Sequence, residues 1–263
     1  MSRVARPVTI AIVKHMIVAI IQARMSSRRL PGKMLLPLGD TTIIGHTVRQ
    51  VQKAKNVDHV VVATSDDTSD DALTAFCEKT GVEVFRGNLN DVLDRYYHAA
   101  KKAAADTVVR VTGDCPLIDP AVIDRAVEEY KKGNVDYLST GHVASTFPDG
   151  TDVEVFSFAA LESAWHHAKL PSEREHVTPY IWNHPELFRV TEMRNDPDLG
   201  FLRITIDEIQ DYEVIQAIVA HVPELTMKNI SAYIANHPEI SHMNASIVRD
   251  AGYLKSLRED ARQ

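Results

Sequence analysis

What most restricts the fold of this chain is a rhythm in its first half, where short β-branched apolar runs alternate with stretches of helical pattern. Residues 16–21, 59–63, 82–85 and 107–111 are the runs. Each is too short for a helix and reads as a strand, the first two, uninterrupted by polar residues after their first position, as buried ones. Between the first two, residues 42–53 place Ile43, Ile44, Val48 and Val51 at helical spacing. Residues 64–71, Thr-Ser-Asp-Asp-Thr-Ser-Asp-Asp, supply caps and first-turn acids for a second helix that Gly81 closes. Asn90 can cap a third, with Val92, Leu93, Tyr96, Tyr97 and Ala100 on its apolar side. Asp119-Pro120 puts a capping acid before a proline at the first helical position of a fourth. Parallel neighbours need a crossover connection, usually a helix, so this alternation predicts an open, mainly parallel sheet with helices packed on it.

From Val135 the rhythm changes. Residues 137–139 and 153–156 read as short strands around the turn Phe147-Pro148-Asp149-Gly150, with helical stretches at 158–168 and 173–182. Residues 188–193 and 202–206 read as further strands, and 210–221 and 227–237 as helices. One domain over residues 16–240 is the economical division, with 135–194 as an insertion covering the ligand. Residues 1–15 read as an appended leader, Met16 being a plausible alternative start, and 241–263 as a peripheral tail. An apolar fraction of 44% in 263 residues is sufficient for a real core. A net charge of -7 with no basic stripe beyond one loop argues against nucleic acid as a partner. Cys77 and Cys115, far apart and without metal spacing, suit a reducing, cytoplasmic compartment. The apolar run 8–13 is far too short to span a bilayer, so no membrane role is expected.

The exceptional loop is Gln22-Ala23-Arg24-Met25-Ser26-Ser27-Arg28-Arg29-Leu30-Pro31-Gly32-Lys33, which follows the first strand and carries four cations and no acid. In parallel α/β folds, ligands bind at the carboxyl ends of strands. A loop of this charge there, with small Ser27 and Gly32 and a turn fixed by Pro31, reads as a polyphosphate cradle; the competing reading is a solvated basic loop. Two acids also stand where strands end. Asp114 follows the fourth strand through Gly113, and Asp207 directly follows residues 202–206. Each alone is an ordinary turn former. Brought together opposite the basic loop, they would suit magnesium, which takes one or two carboxylates plus phosphate oxygens and water.

Other chemistries find little support. The serines lack nucleophile-elbow spacing, there is no G-x-x-x-x-G-K-[ST] loop, and no G-x-G-x-x-G follows the first strand. Cys115 has no base nearby in sequence, and His142, His166 and His167 read as surface or packing residues rather than metal ligands.

Taken together, Ile-Gln-Ala-Arg24-x-x-Ser27-x-Arg29-Leu-Pro-Gly-Lys33 resembles the signature of the sugar-acid cytidylyltransferases, the KDO and acylneuraminate enzymes. The branch called spore-coat polysaccharide biosynthesis protein F is the closer match. It shares Val84-Phe-Arg-Gly87, Asp91-Val-Leu-Asp-Arg-Tyr96, Arg110-Val-Thr-Gly-Asp-Cys-Pro-Leu-Ile-Asp119, Phe147-Pro-Asp-Gly150 and Ser172-Glu-Arg-Glu-His-Val-Thr-Pro-Tyr180. The resemblance runs from about Met16 to His237 and implies an α/β fold, a three-layer αβα sandwich with a mainly parallel mixed sheet, of the nucleotide-diphospho-sugar transferase type. It implies transfer of CMP from CTP to a sugar acid or related small acidic acceptor, with release of pyrophosphate, in surface polysaccharide biosynthesis such as that of the spore coat. It places Arg24, Ser27, Arg29 and Lys33 on the triphosphate, with Arg24, Arg29 and Lys33 catalytic. Gln22 and Ala23 would line the nucleoside, Asp94 and Arg95 would lie near the base, and Asp114 and Asp207 would hold Mg2+. Asp149, Glu173, Arg174, Glu175 and His176 are the candidate acceptor residues, Arg174 being suited to an acceptor carboxylate or phosphate. A homodimer is also implied.

The sequence departs from the KDO enzymes at Thr112 and Cys115, which stand where those enzymes carry Gln and Glu, and at Gln22, which stands for Pro. These changes leave the metal residue and alter the surroundings of the acceptor. The competing readings are a glycosyltransferase of the same fold, for which Asp149-Gly-Thr-Asp152 has the wrong metal spacing, and a catalytically silent nucleotide-binding protein, against which the intact Arg24, Lys33, Asp114 and Asp207 count.

Overall fold

Every strand of the first-half alternation forms, and they pair in the order that places the basic loop at the middle of a sheet. The computed structural model describes residues 15–141 and 145–262; the leader reading of residues 1–14 and the reading of His142 fall outside these. The chain begins with β1 (Ile17–Gln22), a 3-10 turn (Lys33–Leu35), and a small ribbon of β2 (Pro37–Leu38) and β3 (Thr41–Thr42). Then come α1 (Ile43–Val51), β4 (His59–Ser65), α2 (Asp71–Thr80), β5 (Glu83–Gly87), α3 (Val92–Lys102), β6 (Thr107–Thr112) and α4 (Pro120–Gly133). The middle segment contributes β7 (Tyr137–Ser139), β8 (Glu154–Ser157), α5 (Phe158–His167), α6 (Pro171–His176), α7 (Pro179–Asn183) and β9 (Val190–Glu192). Helices α8 (Ile209–His221), α9 (Met227–Asn236), α10 (Pro238–His242) and α11 (Ala251–Asp260) complete the chain.

The main sheet runs β5-β4-β1-β6-β8-β7-β9. Neighbours are parallel except β8, which is antiparallel to both β6 and β7. Central β1 shows why its sequence is uninterruptedly apolar. Ile17, Ala19 and Ile21 face α1, α2 and α4 through Ile44, Val48, Leu73 and Ile123, while Val18 and Ile20 face α3 and α5 through Leu93, Tyr96 and Leu161. A strand covered on both faces has no polar face to show. A third cluster packs Leu202, Ile204 and Ile206 against Val214, Ile215 and Ile218 of α8 and Ile230 of α9. The chain is therefore an α/β fold with helices on both faces of a mixed, mostly parallel sheet. Among the described residues, no helix is long and apolar enough to cross a membrane.

Three sequence readings are corrected in detail. Residues 202–206 are extended but do not form a strand of the sheet. They make one bridge, Asp149 with Arg203, and bond to irregular backbone, Ile204 N to Asp149 O at 2.7 Å and Ile206 N to Asp114 O at 2.9 Å. Apolar alternation reports burial, and here the side chains are buried on α8 and α9 while the backbone bonds to irregular chain. Gly150 permits this approach: its φ is +105°, and a Cβ there would lie 2.6 Å from Ile204 C and Thr205 N. Second, the helix read over 173–182 is broken into α6 and α7, with Val177 at φ 73° and Pro179 starting the second piece. Third, the segment read as a peripheral tail contains α11, which packs on α6: Ser172 N donates to Asp260 Oδ1 at 3.0 Å, and the Tyr253 ring meets those of His176 and Trp182.

Candidate active site

The end of β1 fixes the loop that follows. All six of its residues pair with β6 and five of them also with β4, so Gln22 leaves the sheet from a base held on both sides. Ala23 N still donates to Ala63 O at 3.2 Å, and Gly113 N donates to Gln22 O at 2.7 Å. A Cβ on Gly113 would lie 2.9 Å from that of Ala23, so glycine is what lets the β6 end approach the loop. Asp70 then holds the loop from beneath. Fully buried, it accepts from Met25 N at 2.7 Å, from Ser65 N at 3.0 Å and from the Thr64 hydroxyl at 2.8 Å. Burial alone would raise its pKa, and these donors outweigh that and hold it below the ordinary carboxylate value. Sequence pattern marks Asp70 only as a helix-start acid; its support of the loop is tertiary.

Above this base lies a cavity of about 720 Å³. Gln22, Ala23, Arg24, Ser27, Arg28 and Arg29 line one wall with Lys33, and Asp114 and Asp207 lie in the same cavity. Lys33 connects the two acids. Only 5% exposed, it donates from Nζ to Asp114 Oδ2 at 2.8 Å, Asp207 Oδ1 at 3.0 Å and Ile206 O at 2.6 Å. Burial opposes the Lys33 charge, but the carboxylates of Asp114 and Asp207 prevail and raise its pKa. Asp207 is its counterpart: burial would raise its pKa, and Lys33, Arg29 and Arg203 together depress it. Arg29 Nη2 reaches Asp207 Oδ1 at 2.9 Å, and Arg203 Nη2 reaches Asp207 Oδ2 at 3.3 Å. Arg24 meets Glu175 at 3.7 Å, and the Ser27 hydroxyl accepts from Leu30 N at 3.3 Å, closing the turn.

Two carboxylates sharing one cavity, both joined by a single ammonium, form an oxygen donor set that fits a hard divalent cation completed by phosphate and water. Among the described residues, no group of three or more His, Cys, Asp or Glu is placed to hold a metal by itself.

The other sequence candidates are distributed differently. Asp94 accepts from Trp165 Nε1 at 2.8 Å, and Arg95, with no exposed surface, donates to Asn88 O at 2.6 Å while its Nε and Nη2 have no partner; neither lines the cavity. Of the five acceptor candidates, only Glu175 lines it. Arg174 is occupied by Asp91, donating from Nε to both carboxylate oxygens at 3.0 Å, and by Trp165 O at 2.9 Å. Glu173 caps its own helix, accepting from Lys169 N and Leu170 N at 2.9 and 3.0 Å. Asp149 is paired with Arg203 beside the site. His176 holds α11: the Ser256 hydroxyl donates to Glu175 at 2.9 Å and accepts from His176 Nε2 at 3.0 Å. Burial pushes the His176 pKa down to about 4.

Sequence reasoning missed the opposite wall. Ala251, Gly252, Lys255, Ser256 and Glu259 of α11 line the cavity, as do Leu89, Asn90 and Thr112. The α11 positions recur at i, i+1, i+4, i+5 and i+8, one face of a helix. That periodicity is present in the sequence, but nothing local says what the face covers.

The profile of the cytidylyltransferase family matches residues 18–244. The spore coat polysaccharide biosynthesis protein SpsF of Bacillus subtilis is 33% identical over 237 residues, covering 85% of this chain and 95% of that protein. The 3-deoxy-manno-octulosonate cytidylyltransferase of Geobacter sulfurreducens is 38% identical over 111 residues, covering 42% of this chain and 44% of that enzyme. A solved cytidylyltransferase structure from Leptospira borgpetersenii superposes with a TM-score of 0.83 at 38% identity, covering 89% of this chain and all of that one. With a mixed α/β sheet, a basic loop at the end of its central strand and a family match over most of its length, the chain belongs to the cytidylyltransferase family of CTP-using nucleotidyltransferases.

Proposed function

We propose that this enzyme transfers CMP from CTP to a sugar acid or related small acidic acceptor, releasing pyrophosphate, in the synthesis of a surface polysaccharide. The observation that carries the reading is the union, in one cavity, of the basic loop at the β1 end with the Asp114 and Asp207 carboxylates. The attacking acceptor oxygen forms a bond to the α-phosphorus as the bond to the bridging pyrophosphate oxygen breaks, and negative charge accumulates on the departing pyrophosphate. Arg24, Arg28 and Arg29 line the wall where that charge would develop, and positive charge placed there would stabilise the transition state. Guanidinium groups suit the task because they hold phosphate oxygens through paired bonds. Asp114 and Asp207 would hold Mg2+, which when bound supplies charge neutralisation at the α-phosphate and lowers the pKa of the acceptor hydroxyl. The polysaccharide assignment draws on SpsF, and the sugar-acid assignment on the octulosonate enzyme.

The test is pyrophosphate release from CTP across a panel of sugar acids and sugar phosphates, with Mg2+ and then with EDTA. Acceptor-dependent release that EDTA abolishes supports the reading. Binding of CTP without release for any acceptor, or equal use of UTP and ATP, overturns it.

A further inference from the structure

Lys33 is placed differently from a simple phosphate ligand. Its ammonium has three protons, and each has an acceptor within the protein: one oxygen of Asp114, one of Asp207, and the Ile206 carbonyl. The side chain is 6% exposed, so the group is directed into the carboxylate pair. Arg29 adds a second cation on the same Asp207 oxygen. Arg203 also touches Asp207, but Asp211 engages it at 2.8 and 2.9 Å and Asp149 pairs with it, so its charge is already balanced. The local account is the two carboxylates against Lys33, which has no other acid, and Arg29, which Glu208 shares at 4.0 Å. A divalent ion arriving alone would have to take oxygens already bonded to cations and sit close to both positive charges, where a partly buried setting screens repulsion poorly. A polyphosphate changes that balance, because it offers both cations new acceptors in the same cavity.

We propose that Lys33 is a tethered counter-cation of the Asp114–Asp207 pair, which a divalent ion occupies only when nucleotide phosphates draw Lys33 and Arg29 away from the carboxylates. The inference rests on reading that pair as the metal site. It makes Lys33 a positioning residue whose two partners, carboxylate and phosphate, set the order in which metal and nucleotide bind.

Mn2+ is the probe, titrated into the full chain without nucleotide while the signal of the free ion is followed by electron paramagnetic resonance. Wild type is expected to bind weakly. Lys33→Met, which keeps the chain length and removes the charge, should bind Mn2+ at least tenfold more tightly, and Lys33→Arg should stay near wild type. Arg29→Met should gain severalfold; its side chain is 39% exposed, so it carries the comparison if the Lys33→Met chain does not fold. The gain in either variant should vanish on adding Asp114→Asn. Nucleotide-free wild type binding Mn2+ as tightly as the charge-removed variants overturns the proposal, and so does a missing gain in them. A gain that survives both Asp114→Asn and Asp207→Asn places the ion elsewhere, and then it is the metal-pair reading that fails.

Discussion

Ser256→Ala tests whether α11 is part of the cavity or merely rests near it. Ser256 is 2% exposed, and its hydroxyl joins Glu175 and His176 of α6. Removing it deletes both bonds while leaving the helix sequence otherwise intact. A hydrogen bond to a neutral partner contributes about 0.5–1.5 kcal/mol net and one to a charged partner about 1.5–3. Glu175 is 41% exposed, so water can replace its lost donor and the lower end of that range applies. About 1–2 kcal/mol of α11 docking energy should therefore be lost, which corresponds to roughly a five- to thirtyfold rise in the undocked population. Amide hydrogen exchange over residues 251–260 reads this directly, because local opening is governed by that population. The strands β1, β4 and β6 should keep wild-type protection. The Arg24–Glu175 contact is half exposed, and such pairs are worth about 0–1 kcal/mol, so CTP affinity should fall by no more than a few-fold. Exchange over 251–260 that stays within twofold of wild type would refute Ser256 as the anchor. Loss of CTP binding by tenfold or more would show that α11 supports the basic loop and not only the opposite wall.

Further predictions follow from the same geometry. Lys33→Ala should lower the rate of pyrophosphate release by about 10²-fold or more, as expected for loss of one charge that the nucleotide phosphates would draw from the carboxylate pair; unchanged turnover would remove the residue from the mechanism. Arg174→Ala should lower the melting temperature by freeing Asp91, the N-cap of α3, and should leave the acceptor KM unchanged; a raised KM would restore Arg174 to the acceptor site. The low His176 pKa, about 4 against an ordinary 6.5, means that the unfolded chain binds more protons. Its contribution is therefore complete above about pH 6.5 and is lost as the pH falls towards 4. Thermal scans should show a stability decrease over that window which His176→Asn reduces. An identical pH profile in that variant would refute the assignment.

Much of the fold was legible because it is written in local patterns. Strands β1, β4 and β6 are runs rich in β-branched residues covered on both faces, and Asp119 caps its helix where the sequence puts it; β5 is a partly exposed edge strand, and the cap of α3 is Asp91 instead of the neighbouring Asn90. Residues 202–206 show the limit of such patterns. Their apolar residues are buried as expected, but burial against helices outside a sheet and burial within one leave the same trace in sequence.

For the candidate site, sequence alone determined that four cations and no acid follow the central strand, and that Asp114 stands one glycine beyond a strand end. Those are properties of consecutive residues, and strand geometry carries them to one edge of the sheet. Only the tertiary structure decided how charges were shared. Lys33 meets acids 81 and 174 positions away, Arg174 is claimed by Asp91, and α11 comes back to face the basic loop across the cavity. Which cation serves which anion depends on distance in space and on burial. Residue type and spacing along the chain specify neither.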